Sequence, residues 1–128
     1  MAHILLVDDD NDIVDALADL LREEGHEVHS ASTGEEGLSV LRGSPLPDAV
    51  VLDVDMPVLG GPGMAHQMLL HDAGEEKVPI ILMSARQDLP KIAAKMGTSY
   101  VLAKPAGIDA FISLLDRALD ERRAPLSA

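Results

Sequence analysis

Cysteine is absent from the chain and aromatic residues are scarce, with no tryptophan, one phenylalanine and one tyrosine among 128 residues. Without cysteine the protein has no disulfide framework, no thiolate metal site and no cysteine nucleophile. So few aromatic side chains also give no support for a platform on which nucleic-acid bases would stack. Any chemistry of this chain therefore rests on its carboxylates, hydroxyls, amines and imidazoles.

Basic residues are also in short supply, because 10 lysines and arginines face 22 acidic residues and the formal net charge is −12. Such a surface repels phosphate backbones and anionic lipids, so we expect no direct binding to nucleic acid. The N-terminal sequence MAHILLVDDD has only a short apolar run and no basic region, which argues against a signal peptide or a membrane span. The sequence therefore predicts a soluble, cytoplasmic protein without membrane contact.

The length of 128 residues is typical of one domain and too short for two ordinary cores. We expect a single compact unit over residues 1–122. The closing residues 123–128 are predicted to form a flexible tail.

Short apolar runs alternate with segments of helical spacing along the chain. The runs at residues 4–7, 49–52, 80–83 and 100–103 are too short for helices and too continuous for half-exposed strands, and a weaker run spans 27–31. Runs of this kind are typical of parallel strands covered on both faces.

The helical spacing between the runs completes a (βα)5 pattern. The first helix is predicted from Ile13, Leu17, Leu20 and Leu21, and the last from Ile108, Ile112, Leu115 and Leu119. Alternating units of this kind predict an α/β fold with a doubly wound five-stranded parallel sheet. Ligands of such sheets bind at the carboxyl ends of the strands, near the point where the strand order reverses.

Acidic residues follow two of the predicted strands directly. Asp8 and Asp9 come after the first strand, while Asp53 ends the third strand and Asp55 follows it. If these strands are neighbours, several carboxylates meet in one crevice, where a hard cation that prefers oxygen ligands would offset their repulsion. The sequence therefore predicts a Mg²⁺ site.

A hydroxyl and an amine are predicted at the same edge of the sheet. Ser84 ends the fourth strand, and Lys104 follows the fifth. Together with the carboxylates they form a set suited to phosphoryl transfer: a metal and a lysine to neutralise phosphate oxygens, a hydroxyl to orient one of them, and a nucleophile. Asp53 is the best nucleophile candidate because its strand is the most apolar.

Four motifs in order, ILLVDDD, VVLDVDMPVLGG, IILMSA and VLAKP, closely resemble the receiver domain of two-component response regulators, including the single-domain chemotaxis-type proteins. The resemblance covers nearly the whole chain. It implies a flavodoxin-like sheet with strand order 2-1-3-4-5. It also implies a signalling module that has no enzymatic role beyond its own phosphorylation and dephosphorylation.

The resemblance implies that Asp53 accepts a phosphoryl group from a histidine kinase or phosphotransfer protein, with Mg²⁺ beside it. Asp9 would bind Mg²⁺ directly and Asp8 through water. The main-chain carbonyl of Asp55 would be a further ligand, and the Asp53 carboxylate also belongs to the metal site.

Two more residues receive roles from the same resemblance, since Ser84 and Lys104 would hold the phosphoryl oxygens. A downstream target protein would bind the surface formed by the fourth helix, the fifth strand and the fifth helix. Function would then follow from altered protein contact, without direct nucleic-acid or membrane binding.

The chain departs from the family pattern near that surface. An aromatic residue is common three positions before the lysine, but Val101 stands there and Tyr100 lies one position earlier. Because strand side chains alternate, Tyr100 is predicted on the opposite face. The family often has Phe at the position of Ala106, and the segment from Ser84 to Lys104 is slightly short.

Three other hypotheses compete with these assignments. In the first, the acids at the strand ends form a structural ion-pair network. Asp10 and Asp12 also fit an N-terminal cap and first-turn acids of the first helix better than metal ligands. A receiver-like adaptor that works without phosphorylation is a second hypothesis. A phosphohydrolase similar to haloacid dehalogenases is a third, but the chain has no insertion that would form a cap over its site.

Overall fold

The computed structural model describes residues 2–8, 10–41, 46–53, 78–84, 100–103 and 107–121. They form a five-stranded parallel sheet with the order β2-β1-β3-β4-β5, which confirms the predicted strand order. The strands are β1 (His3–Val7), β2 (Glu27–Ala31), β3 (Ala49–Asp53), β4 (Ile80–Ser84) and β5 (Tyr100–Ala103). The predicted third and fourth helices and the tail at 123–128 lie outside the described residues.

Helix α1 (Asn11–Glu23) begins and ends as its sequence dictates. The Asp10 carboxylate accepts hydrogen bonds from the backbone N–H groups of Asp12 and Ile13, which confirms its predicted role as the N-terminal cap. Gly25 adopts φ 91°, and its N–H donates to the Arg22 carbonyl. This left-handed residue ends the helix and lets the chain enter β2.

Helix α2 (Gly34–Leu41) begins with a reciprocal cap. The Thr33 hydroxyl accepts from the backbone N–H of Glu36 at 3.1 Å. The Glu36 carboxylate in turn accepts from the backbone N–H of Ser32 at 3.2 Å and from its hydroxyl at 3.0 Å. Such a cap satisfies donors that a short helix would otherwise leave to water.

Helix α3 (Ile108–Glu121), the last predicted helix, packs with the predicted stripe except at its first position. Its buried residues are Phe111, Leu115 and Ala118, whereas Ile108 is 62% exposed. The predicted stripe was therefore wrong at its first position. Ile112 and Leu119 of the predicted stripe are partly buried against the same core, to which Phe111 and Ala118 add.

Both faces of the sheet are buried, as parallel strands require. On one face, Ile4, Leu6, Val51 and Ile81 share a core with the inner residues of α1 and α3. The alternate residues of β1, β3 and β4 are fully buried as well: Leu5, Val50, Leu52, Ile80 and Leu82. This rigid sheet fixes the positions of the side chains at its carboxyl edge.

The edge strand β2 differs from the central strands, because only Ala31 of its five residues is buried. That difference explains why its sequence gives the weakest strand signal. Within the described ranges, no helix is long and apolar enough to cross a membrane.

Candidate functional site

Two buried carboxylates lie at the carboxyl ends of adjacent strands. Asp8 is 6% exposed and Asp53 is 5% exposed, and they are the buried charged residues in the described part of the chain. Val7 of β1 is paired in register with Leu52 of β3, so Asp8 and Asp53 occupy the next pair of positions along the two strands. The structure thus brings two of the predicted site residues together.

Backbone hydrogen bonds fix the position of Asp8. Its N–H donates to the Ala31 carbonyl of β2 at 3.0 Å, which extends the β1–β2 ladder by one residue. Its Oδ1 accepts from the backbone N–H of Asp10 at 3.0 Å. Since Asp10 caps α1, the carboxylate of Asp8 is joined directly to the start of that helix.

Asp53 ends a fully buried strand of the sheet. All five residues of β3 are buried, and Asp53 is paired in register with Met83 of β4. A carboxylate in such surroundings is costly to desolvate unless donors or a cation compensate for it. Its rigid placement suits a side chain that must meet a reactant in a fixed orientation.

Of the other predicted site residues, the structure describes only the backbone of Ser84. The backbone of Ser84 ends β4 and pairs in register with Ala103 of β5, so the chain reaches Lys104 one residue beyond that pair. Asp9, Asp55 and Lys104 lie outside the described residues.

The described residues alone do not form a complete metal site. No group of three or more histidine and acidic side chains in those ranges is arranged to hold a metal ion. Asp8 and Asp53 nevertheless supply the hard carboxylate oxygens that Mg²⁺ prefers, and two adjacent buried acids repel one another when both are charged. The donor chemistry of this pair fits Mg²⁺, with Asp9 and Asp55 as the remaining predicted ligands.

A third acid, Asp48, lies at the opposite end of β3 and has a structural role that the sequence analysis missed. Its Oδ2 accepts from the His3 N–H at 2.8 Å, and its own N–H donates to the His3 carbonyl at 2.6 Å. These two hydrogen bonds therefore join the backbones of His3 and Asp48 where β1 and β3 begin. The position of this acid immediately before a strand was the available signal.

The structure confirms the predicted facing of Tyr100. The residue is fully buried and belongs to the core shared with α3, while Val101 is half-buried on the alternate face of β5. Its hydroxyl donates to Glu121 of α3 at 3.0 Å. No local sequence pattern predicts this partner, because the two residues are 21 positions apart.

Residues 4–116 match the family model of the response regulator receiver domain. The chain therefore belongs to the response regulator receiver family, the signalling domain of two-component systems.

Three similar proteins illustrate the match. The Protein PilH of Pseudomonas aeruginosa is 31% identical over 121 residues, which cover 93% of this chain and 98% of PilH. A response regulator receiver protein of Anaeromyxobacter is 33% identical over 114 residues, covering 89% of this chain and 47% of the relative. The structure of the response regulator TrrA from Thermotoga maritima, in complex with Mg²⁺-BeF, has a TM-score of 0.75 and 28% identity, and the match covers 91% of this chain and 98% of TrrA.

The chain spans about half or less of most of the curated relatives that it matches, from 27% to 52% of several regulatory proteins. Those relatives are thus longer proteins in which the matching part is one region. The match with PilH extends over nearly the whole of both chains.

Proposed function

We propose that this chain is a phosphoacceptor receiver: Asp53 accepts a phosphoryl group from the phosphohistidine of a kinase or phosphotransfer protein. The observation that carries the proposal is the pair of buried carboxylates, Asp8 and Asp53, at adjacent positions on β1 and β3 in a chain of the receiver family. The phosphorylated domain then signals by a changed affinity for a downstream protein.

In the transfer step, an oxygen of the Asp53 carboxylate attacks phosphorus. A new P–O bond forms while the P–N bond to the donor imidazole breaks, and the nitrogen takes up a proton from solvent. Later attack by water on the acyl phosphate returns the carboxylate and releases inorganic phosphate. The rigid strand β3 orients the attacking oxygen, which lowers the entropic cost of the step.

Mg²⁺ would be held by Asp8, Asp9, Asp53 and the main-chain carbonyl of Asp55. When bound, it neutralises charge on the phosphoryl oxygens. The complex of TrrA with Mg²⁺-BeF supports a role for this ion in a domain of the same family. Ser84 and Lys104 would hold those oxygens, and the pairing of Ser84 with Ala103, the residue before Lys104 in the sequence, supports this assignment.

Intact mass after incubation with acetyl phosphate and Mg²⁺ tests the proposal. The native chain should gain one phosphoryl group, and Asp53→Asn should gain none, because an amide is a poor nucleophile. Asp48→Asn is the matched control, since it changes the acid that directly precedes the same strand, at the opposite end, and should leave the gain intact. Omission of Mg²⁺ should also abolish the gain.

No mass gain in protein shown to be folded would contradict the proposal and support the second candidate, an adaptor that works without phosphorylation. The burial of Tyr100 against α3 favours this candidate, because it leaves the face of β5 that carries Val101 without an aromatic side chain. The family match supports signalling over the phosphohydrolase hypothesis.

A further inference from the structure

The only tyrosine of the chain lies at the start of β5 and is completely covered. Tyr100 is 0% exposed and is among the largest fully buried side chains of the described residues. It pairs in register with Ile81 of β4, so its backbone is held by the sheet. Its ring faces the core shared with Phe111 and Leu115 of α3.

Two charged residues in the last turns of α3 contact this tyrosine. The Tyr100 hydroxyl donates to Glu121 Oε1 at 3.0 Å. Arg117 Nε lies 3.6 Å from the same oxygen, and Arg117 Cζ lies 5.3 Å from the centroid of the tyrosine ring. We name Tyr100, Arg117 and Glu121 the tyrosine clasp, since they join the start of β5 to the end of α3.

The hydrogen bond and the buried ring contribute most to the strength of the clasp. A hydrogen bond to a carboxylate is stronger than one between neutral groups, and an aromatic ring buries a large apolar area. The ion pair is weaker, because the side chains of Arg117 and Glu121 are 54% and 34% exposed and solvent screens their charges. Outward rotation of Tyr100 would lose the hydrogen bond and leave a cavity between β5 and α3.

We propose that the tyrosine clasp stays closed before and after phosphorylation, so that Tyr100 is a fixed positioning residue that holds the end of α3 against the start of β5. The statement about the phosphorylated state rests on the proposed function of Asp53. Any change in partner affinity then arises from elements other than the side chain of Tyr100.

Acrylamide quenching of tyrosine fluorescence measures the state of the clasp directly, because the chain has one tyrosine and no tryptophan. The quenching constant should be low in the native chain and unchanged after phosphorylation with acetyl phosphate and Mg²⁺, with the urea-unfolded chain as the upper reference. Intact mass on the same sample reports phosphorylation. A rise in quenching that accompanies the mass gain would overturn the proposal.

Variants of Glu121 test the clasp in the unphosphorylated chain. Glu121→Ala should raise both the quenching constant and, roughly five- to tenfold, the unfolding equilibrium constant. Glu121→Gln is the matched variant, because its amide oxygen can still accept from Tyr100, and it should change both quantities less. Asp19→Ala, which removes a 79% exposed carboxylate paired at 3.9 Å with Arg22, should change neither.

A double-mutant cycle separates the contact from general damage to the fold. Tyr100→Phe and Glu121→Ala should each destabilise the chain, and their combination should cost less than the sum of the two. Additive effects, or equal effects of Glu121→Ala and Glu121→Gln, would overturn the clasp. If the native chain gains no phosphoryl group, the proposed function fails, whereas the quenching and the cycle still decide whether the clasp exists.

Discussion

The two ends of β3 each carry an acid, but the structure uses the acids differently. At the amino-terminal end, Asp48 accepts a hydrogen bond from the His3 N–H at 2.8 Å and returns one to the His3 carbonyl. At the carboxyl-terminal end, Asp53 is 5% exposed and lies beside Asp8, which follows β1 directly. Asp48 thus joins two backbones, whereas Asp53 belongs to a pair of buried carboxylates.

This difference shows that position along a parallel strand decides what an acid does. The amino ends of β1 and β3 present a backbone donor to Asp48, so its charge is stabilised locally. At the carboxyl end a second acid is the neighbour, and the pair favours a cation or a phosphoryl group with a cation. Changes at the two ends should therefore affect different measurements.

The largest effect is expected from Asp8→Asn. Loss of one carboxylate from the pair should lower the affinity for Mg²⁺ about 10- to 100-fold, as found when residues that support a metal site are replaced. The measurement is the rate of phosphorylation by acetyl phosphate as a function of Mg²⁺ concentration. Asp48→Asn should leave this dependence unchanged, and an unchanged dependence in Asp8→Asn would show that Asp8 takes no part in metal binding.

Asp48→Ala should have its effect on stability. The His3 N–H would lose its charged acceptor at a half-buried site, which we expect to cost about 1–3 kcal/mol in the free energy of unfolding. Urea denaturation measures this cost, and Asp48→Asn should recover part of it because an amide oxygen still accepts. Equal stability of Asp48→Ala and the native chain would contradict the structural role given to this acid.

A smaller effect is expected from Asp10→Ala, which lies next to the carboxyl-end acids. Loss of the cap of α1 should cost about 1 kcal/mol, and Asp10→Ser should restore most of it. The hydrogen bond to Asp8 comes from the backbone N–H of residue 10 and is retained in both variants. Phosphorylation should therefore proceed normally in the folded protein, and a loss of phosphorylation in Asp10→Ser would show that the Asp10 carboxylate acts in the site as well.

The strands and their order were predictable because buried parallel strands give continuous apolar runs. The observed strand β1 is longer than the apolar run at residues 4–7 only by His3, and β3 is longer than the run at 49–52 only by Asp53. The placement of Asp8 beside Asp53 followed from strand order alone. The role of Asp10 was predictable because an N-terminal cap is a local feature of the sequence.

Contacts between distant segments were not predictable in the same way. The inner face of α3 uses Phe111 and Ala118, and the large residue Ile108 lies outside it, because the crossing of helix and sheet decides which residues fit. The bond from Tyr100 to Glu121 likewise depends on how α3 lies over β5. Helical spacing alone specifies neither of these features.

The central position of β1 also has a consequence for how the chain folds. It is the first of the five strands of this sheet to be synthesised, yet it pairs with β3, and the contact of His3 with Asp48 joins residues 45 positions apart. At about 5–20 residues per second, β3 reaches it roughly a few seconds later. During that interval β2, α1 and α2 can shield the apolar residues of β1, so we expect the unit from β1 to α2 to collapse first and the sheet to be completed when β3 joins it.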